Sequence, residues 1–129
     1  MAAADEDMAV YRKLHGDMQQ LLQTKGTFAE QKKENELVKD EIDLAGEEAV
    51  VYKLIGPLLL KQDLDAVKEN VDKRLEFIGG EMDKVDRQVA AKQDEQKKLA
   101  DKIREQQQDM RAKAAEEARK VYQEQQGAS

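Results

Sequence analysis

Few side chains in this sequence are of types that could do chemistry, and their spacing leaves them without partners. There is one histidine, His15. General acid–base catalysis or metal ligation would need a second histidine, a cysteine or a pair of carboxylates within reach. His15 sits in a helical stretch among polar neighbours and reads as a solvated surface histidine. Cysteine is absent, which excludes disulfides and thiolate metal sites and fits a reducing compartment. Asp94 with Lys98, and Glu116 with Lys120, stand four residues apart. That is the spacing of helix-surface ion pairs worth ~0.2–0.5 kcal/mol each. They are not acid/base dyads, because exposed carboxylates on a helix face have no cause to shift their pKa. No glycine-rich phosphate loop, Walker lysine or serine-nucleophile elbow occurs. The expectation is therefore a protein that is not an enzyme, with no catalytic residue, no metal and no cofactor.

The composition points elsewhere. Charged residues make up 39% of the 129 residues, aromatics 4%, and tryptophan is absent. Little is left to fill a globular core, and the Ala/Glu/Lys/Leu/Arg bias points to long helices or coiled coil. A net charge of −6 argues against nucleic acid, which asks for a basic face. The acidic start, Met1 to Asp7, has no apolar core of a signal peptide. No apolar run approaches the ~18 residues of a membrane span. A soluble cytoplasmic protein is expected.

One stretch interrupts the helical pattern. Val50, Val51, Tyr52, Lys53, Leu54 and Ile55 are largely β-branched or apolar, as strands prefer. Gly56-Pro57 stops any helix, Gly56 being pushed toward extended backbone by the proline. Leu58, Leu59, Leu60 and Lys61 follow. Two short apolar runs around such a break predict a β-hairpin over 50–61. Alternation is expected to put Val50, Tyr52 and Leu54 on one face with Leu58 and Leu60, and Lys53 with Lys61 on the other. Two strands alone are marginal in water and leave both edges open. The hairpin must pair with another chain or lie against a helix, and the flanking helices are too polar to cover it. The plainer alternative is an apolar loop between helices.

Helix 1 is expected over 6–45, with residues 1–5 as a frayed tail and Gly46 as its stop. Tyr11, Leu14, Met18, Leu21, Lys25, Phe28, Lys32 and Asn35 repeat at three and four, a heptad seam. Val38 and Ile42 continue it after a one-step shift. Gly16 and Gly26 lie inside the helix, at ~1 kcal/mol each against alanine. Helix 2 is expected over 64–125, capped by Asp63. Its seam is Ile78, Met82, Val85, Val89, Lys92, Gln96, Leu99, Ile103, Gln106 and Met110, with Val71 and Leu75 above it. Gly79-Gly80 is a place for a bend. A short connection folds the helices back antiparallel. The layers that match every seam residue are Tyr11–Leu99, Leu14–Gln96, Met18–Lys92, Leu21–Val89, Lys25–Val85, Phe28–Met82, Lys32–Ile78 and Asn35–Leu75. Most are mixed, apolar against polar, which favours a specific register over high stability.

In that register helix 2 outruns helix 1 by about twenty residues, or ~30 Å at 1.5 Å per residue. Met110, Val121 and Tyr122 on the overhang, with Met8, Val10 and Tyr11 at the same distal end on helix 1, would form an exposed apolar tip that touches another molecule. The alternative is a frayed, solvated tail.

Glu34-Asn35-Glu36-Leu37-Val38, then Val51-Tyr52-Lys53-Leu54-Ile55-Gly56-Pro57 and Lys61-Gln62-Asp63-Leu64, closely resemble the β-type subunits of prefoldin. Val71-Asp72-Lys73-Arg74-Leu75-Glu76-Phe77-Ile78 resembles the same family's next segment. Leu58 and Leu60 depart from its usual valines, and Gly79-Gly80 from its helix formers. The resemblance covers 34–78 and implies a fold: a mainly α chain, two long helices in an antiparallel coiled coil joined by one β-hairpin that enters an intermolecular β-barrel platform. It also implies an ATP-independent holdase, a hexamer of two α-type and four β-type subunits. Such a complex captures unfolded polypeptides, actin and tubulin among them, with its coiled-coil tips and passes them to the cytosolic group II chaperonin. On this reading Val50 to Ile55 and Gly56 to Leu60, Lys53 excepted, form the subunit interface. A coiled-coil tether, or a subunit of a prefoldin-like assembly complex, is the alternative function.

Overall fold

The computed structural model describes residues 2–127, with the side chains of residues 2–4 left aside. The order of elements is α1 (Ala2–Ala45), β1 (Val51–Ile55), β2 (Leu58–Gln62) and α2 (Leu64–Gly127). Helix α1 begins earlier than the expected residue 6: Ala2, Ala3 and Ala4 are helical. Alanine has the best intrinsic helix propensity, which suits this segment to the helical conformation it takes. Helix α2 ends two residues past the expected 125 and runs as α-helix through Gly79-Gly80.

The punctuation follows from local chemistry. Gly46 takes φ +86, a left-handed conformation that glycine adopts without a Cβ penalty, and it ends α1. The chain then turns with Ala49 N–H donating to Gly46 C=O at 3.2 Å. Asp63 stands where an N-cap should, its carbonyl accepting from Val67 N–H at 3.0 Å.

The contacts divide into two units, residues 20–89 and residues 1–19 with 90–129. In the first, the helices pack through Ile42, Val71, Ile78 and Val85, each at most 9% exposed. Lys25 Nζ pairs with Asp86 at 2.6 Å and Lys39 Nζ with Asp72 at 2.9 Å. Asp86 is the neighbour of Val85, the layer partner expected for Lys25. Two expected seam members leave the seam. Lys32 is exposed and reaches Glu36 on its own helix at 4.0 Å, as a long lysine stem allows. Val38 is 43% exposed, because the seam steps from Asn35 to Ile42 without passing under it. Asn35 Nδ2 donates to Gln31 C=O at 2.7 Å instead of crossing to α2.

In the second unit Leu14 and Ile103 are the buried apolar residues. Lys92 Nζ meets Asp17 Oδ2 at 3.6 Å, and Lys102 Nζ meets Asp7 Oδ2 at 3.3 Å. Asp17 adjoins Met18, the expected partner of Lys92. Gln96 Nε2 donates to Tyr11 C=O at 3.4 Å. The ion pairs between the helices thus fall, within each unit, about one residue from the antiparallel register read from the seams.

Candidate functional site

The hairpin β1–β2 pairs Val51 with Gln62, Tyr52 with Lys61, Lys53 with Leu60, Leu54 with Leu59 and Ile55 with Leu58. Directly paired residues share a face of the sheet. One face carries Tyr52, Leu54, Leu59 and Lys61. The other carries Val51, Lys53, Ile55, Leu58, Leu60 and Gln62. This corrects the expected sorting, which put Leu58 and Leu60 with Tyr52 and both lysines together. The cause is the two-residue turn: it sets the register, and a one-residue difference sends every β2 side chain to the other face. Gly56 is not extended but takes φ +59, the positive φ that a type II′ connection needs at its first central residue. The strands also lie one residue later than the expected 50–61, leaving Val50 outside β1 and bringing Gln62 into β2.

Each face is thus apolar around a single lysine, and neither is covered. Tyr52 is 57% exposed, Leu54 67%, Leu58 62% and Leu59 65%; Val50, Ile55, Leu60, Gly56 and Pro57 are exposed as well. Only Val51 and Gln62 among the strand residues are half-buried. Of the two expected ways to hide the hairpin, lying against a helix is not realised among the described residues. The sheet has two strands, so β1 and β2 each keep one edge of unpaired backbone groups, a template for another strand.

The residues expected at the tip fall into three places. Met8 and Tyr11 are half-buried and line an open groove with Ala100, Ile103, Arg104 and Gln107. Val10 lines a second groove with Leu14, Leu99 and the stems of Lys98 and Lys102. Met110, Val121 and Tyr122 belong to neither. They are 44%, 53% and 61% exposed on a stretch of α2 in which every residue from Gln107 to Gly127 is exposed. Tyr122 Oη accepts from Gln126 Nε2 at 2.8 Å. Leu14, Leu99 and Ile103, expected as seam residues only, also line these grooves. Their seam positions were the available signal.

His15 is exposed and touches Gln19 at 3.3 Å. Asp94–Lys98 and Glu116–Lys120 are exposed ion pairs at 3.1 and 3.8 Å. Among the described residues no group of three or more His, Cys, Asp or Glu side chains is arranged to hold a metal ion. No helix among them is long and apolar enough to cross a membrane. One titration stands out: the hydrogen bond that Lys39 Nζ donates to the Asp72 carboxylate, and then the charge of that carboxylate, raise the Lys39 pKa above 10.5.

Comparison with known proteins extends this picture. A family model described as "Prefoldin subunit" matches residues 5–110. "Prefoldin subunit 6" of Arabidopsis thaliana is 46% identical over 74 residues, 57% of this chain and 57% of that protein. "Prefoldin subunit 6" of Saccharomyces cerevisiae is 33% identical over 95 residues, 74% of this chain and 83% of its own length. The crystal structure of the prefoldin beta subunit from Thermococcus strain KS-1 superposes with a TM-score of 0.75, covering 81% of this chain and 92% of that one at 21% identity. That likeness speaks for the fold: two helices and one hairpin. The family match takes in the hairpin together with most of both seams, which generic coiled coil would not do, and the chain belongs to the prefoldin subunit family.

Proposed function

We propose that this chain is a β-type subunit of an ATP-independent holdase, built into a hexamer of two α-type and four β-type prefoldin subunits through its hairpin. The observation that carries the reading is the hairpin itself. Its two faces are apolar and exposed and its two edges are open, a state that strand pairing with neighbouring subunits relieves. An intermolecular β-barrel abolishes edges and buries one face of each hairpin. The exposed end of α2 and the grooves beside it supply small apolar surfaces. Each binds an unfolded segment weakly, and several carried on one platform reach avidities ~100-fold or more above a single contact. Methionine at such a surface adapts to varied side chains. The clients are unfolded polypeptides, actin and tubulin among them, and the receiver is the cytosolic group II chaperonin, which places the protein in the cytoplasm.

The test is co-assembly. Leu54 and Leu58 lie on opposite faces, so the pair Leu54→Asp with Leu58→Asp puts one carboxylate into each. Burying either one unpaired costs several kcal/mol. The double variant should stay helical by circular dichroism and fail to enter the complex when mixed with the other subunits. Normal incorporation, measured as the mass of the intact assembly, would overturn the proposal.

A further inference from the structure

Within the unit formed by residues 1–19 and 90–129 the start of α1 is held in an unusual way. Asp7 is 16% exposed, and its Oδ2 takes Lys102 Nζ and Gln106 Nε2, each at 3.3 Å. Gln106 Oε1 is buried and accepts no hydrogen bond. Flipping the amide would not help, since the oxygen would then face the carboxylate. Seating α1 therefore gains two long polar contacts and strands one acceptor, and these effects oppose each other. Opening would return Oε1 to water.

Gly16 lies nine residues further along the same helix. A Cβ built there meets nothing within 4 Å, so packing does not demand glycine at this place. Its effect is to weaken the helix, as glycine in a helix interior does. Between latch and glycine the apolar attachment of α1 comes from Leu14, with half-buried Met8 and Tyr11.

We infer that residues 5–15 of α1 form a strap, hinged at Gly16 and latched by Asp7 onto Lys102 and Gln106, that opens without unfolding the rest of the chain. Opening uncovers Leu14, Leu99 and Ile103 and joins the two grooves beside α1 into one apolar strip on α2. The chain thereby has two states of its holding surface, a small one when the strap is seated and a larger one when it is lifted. The use of that strip for clients rests on the holding role proposed above; the strap itself does not.

Two substitutions push the strap in opposite directions. Asp7→Ala removes both latch contacts while raising intrinsic helix propensity. Faster amide exchange over residues 8–14 would then report the lost latch and not a weaker helix. Gly16→Ala stiffens the hinge in open space and should slow exchange over the same residues by ~2–5-fold, the size of a glycine-to-alanine change in a helix. Both are measured by hydrogen exchange on the full chain, with an apolar dye reporting the uncovered strip. Asp7→Ala should raise dye binding and Gly16→Ala lower it. The pair Asp7→Lys with Lys102→Glu should restore the parent exchange rate. Unchanged exchange in Asp7→Ala, or no slowing in Gly16→Ala, overturns the strap. If exchange responds as stated while client protection by the assembled complex stays constant in both variants, the strap stands and its link to holding is lost.

Discussion

Single side chains divide here into those that hold the helices together and those that only decorate them. Ile78 is 4% exposed and Val38 43%, although both lie on apolar repeats. Ile78→Ala should destabilise by ~2–3 kcal/mol, the low end for a large-to-alanine change, because two thin helices collapse readily around a small cavity. Val38→Ala should stay within ~0.5 kcal/mol, as exposed positions do. Urea unfolding of the two variants checks the contrast; equal losses would return Val38 to the seam. The Lys39–Asp72 pair makes a pH statement. The folded pKa of Lys39 lies above its ordinary 10.5. Whatever the pair adds is therefore fully present below that ordinary value and is lost as pH rises through the folded pKa. Asp72→Asn should bring the lysine titration, followed by NMR, down toward 10.5, with no change in the pH dependence of stability near neutrality. The burial of Val71, Ile78, Val85 and Ile103 could be read from spacing alone. The exit of Lys32 and Val38 could not, since it depends on where a flexible stem goes and on the local phase between two helices.

Elements carry the next set of expectations, and here the sequence was most and least informative in adjacent places. The heptad seams encode the register, because each layer fails if one helix slides by a residue. The ion pairs Lys25–Asp86 and Lys92–Asp17 fall beside the layers expected from spacing. Cysteines at Phe28 and Met82, both half-buried, should cross-link within one chain. Cysteines at Phe28 and Val89 should not, being ~10 Å further along the axis at 1.5 Å per residue. The opposite pattern, read by reducing and non-reducing gels, would show the register wrong. The hairpin was legible as an element and not as a surface. Its two apolar runs and Gly-Pro break announced it, but face assignment hangs on turn length and on the φ of one glycine. Gly56→Ala forces a Cβ into φ +59, at ~1–2 kcal/mol. It should loosen the turn and weaken entry into the complex while leaving helix content by circular dichroism unchanged.

At the scale of the whole molecule the buried apolar residues among those described are few: Leu14, Ile42, Val71, Ile78, Val85 and Ile103. A chain with so thin a core gains stability from whatever binds its folded form, so its melting temperature should depend on the concentration of its partner subunits. The same thinness leaves the end of α2 with nothing to hold up. From Gln107 to Gly127 every residue is exposed, and the ion pair there, Glu116–Lys120, is local to the helix. Ending the chain after Asp109 spares Gln106 and its bond to Asp7 but removes Met110, Val121 and Tyr122. The midpoint of urea unfolding should be unchanged, because no buried apolar side chain is lost. Incorporation into the complex should also be unchanged, since the hairpin is intact. Protection of an aggregation-prone client should fall. One shortened subunit among several leaves other tips in place, so the fall should deepen when the remaining β-type subunits are shortened in the same way, as multivalent binding requires. If protection persists with every such end removed, holding belongs to the grooves lined by Met8, Tyr11, Leu14 and Leu99 or to the platform. The exposed apolar residues beyond Asp109 would then have no part in it.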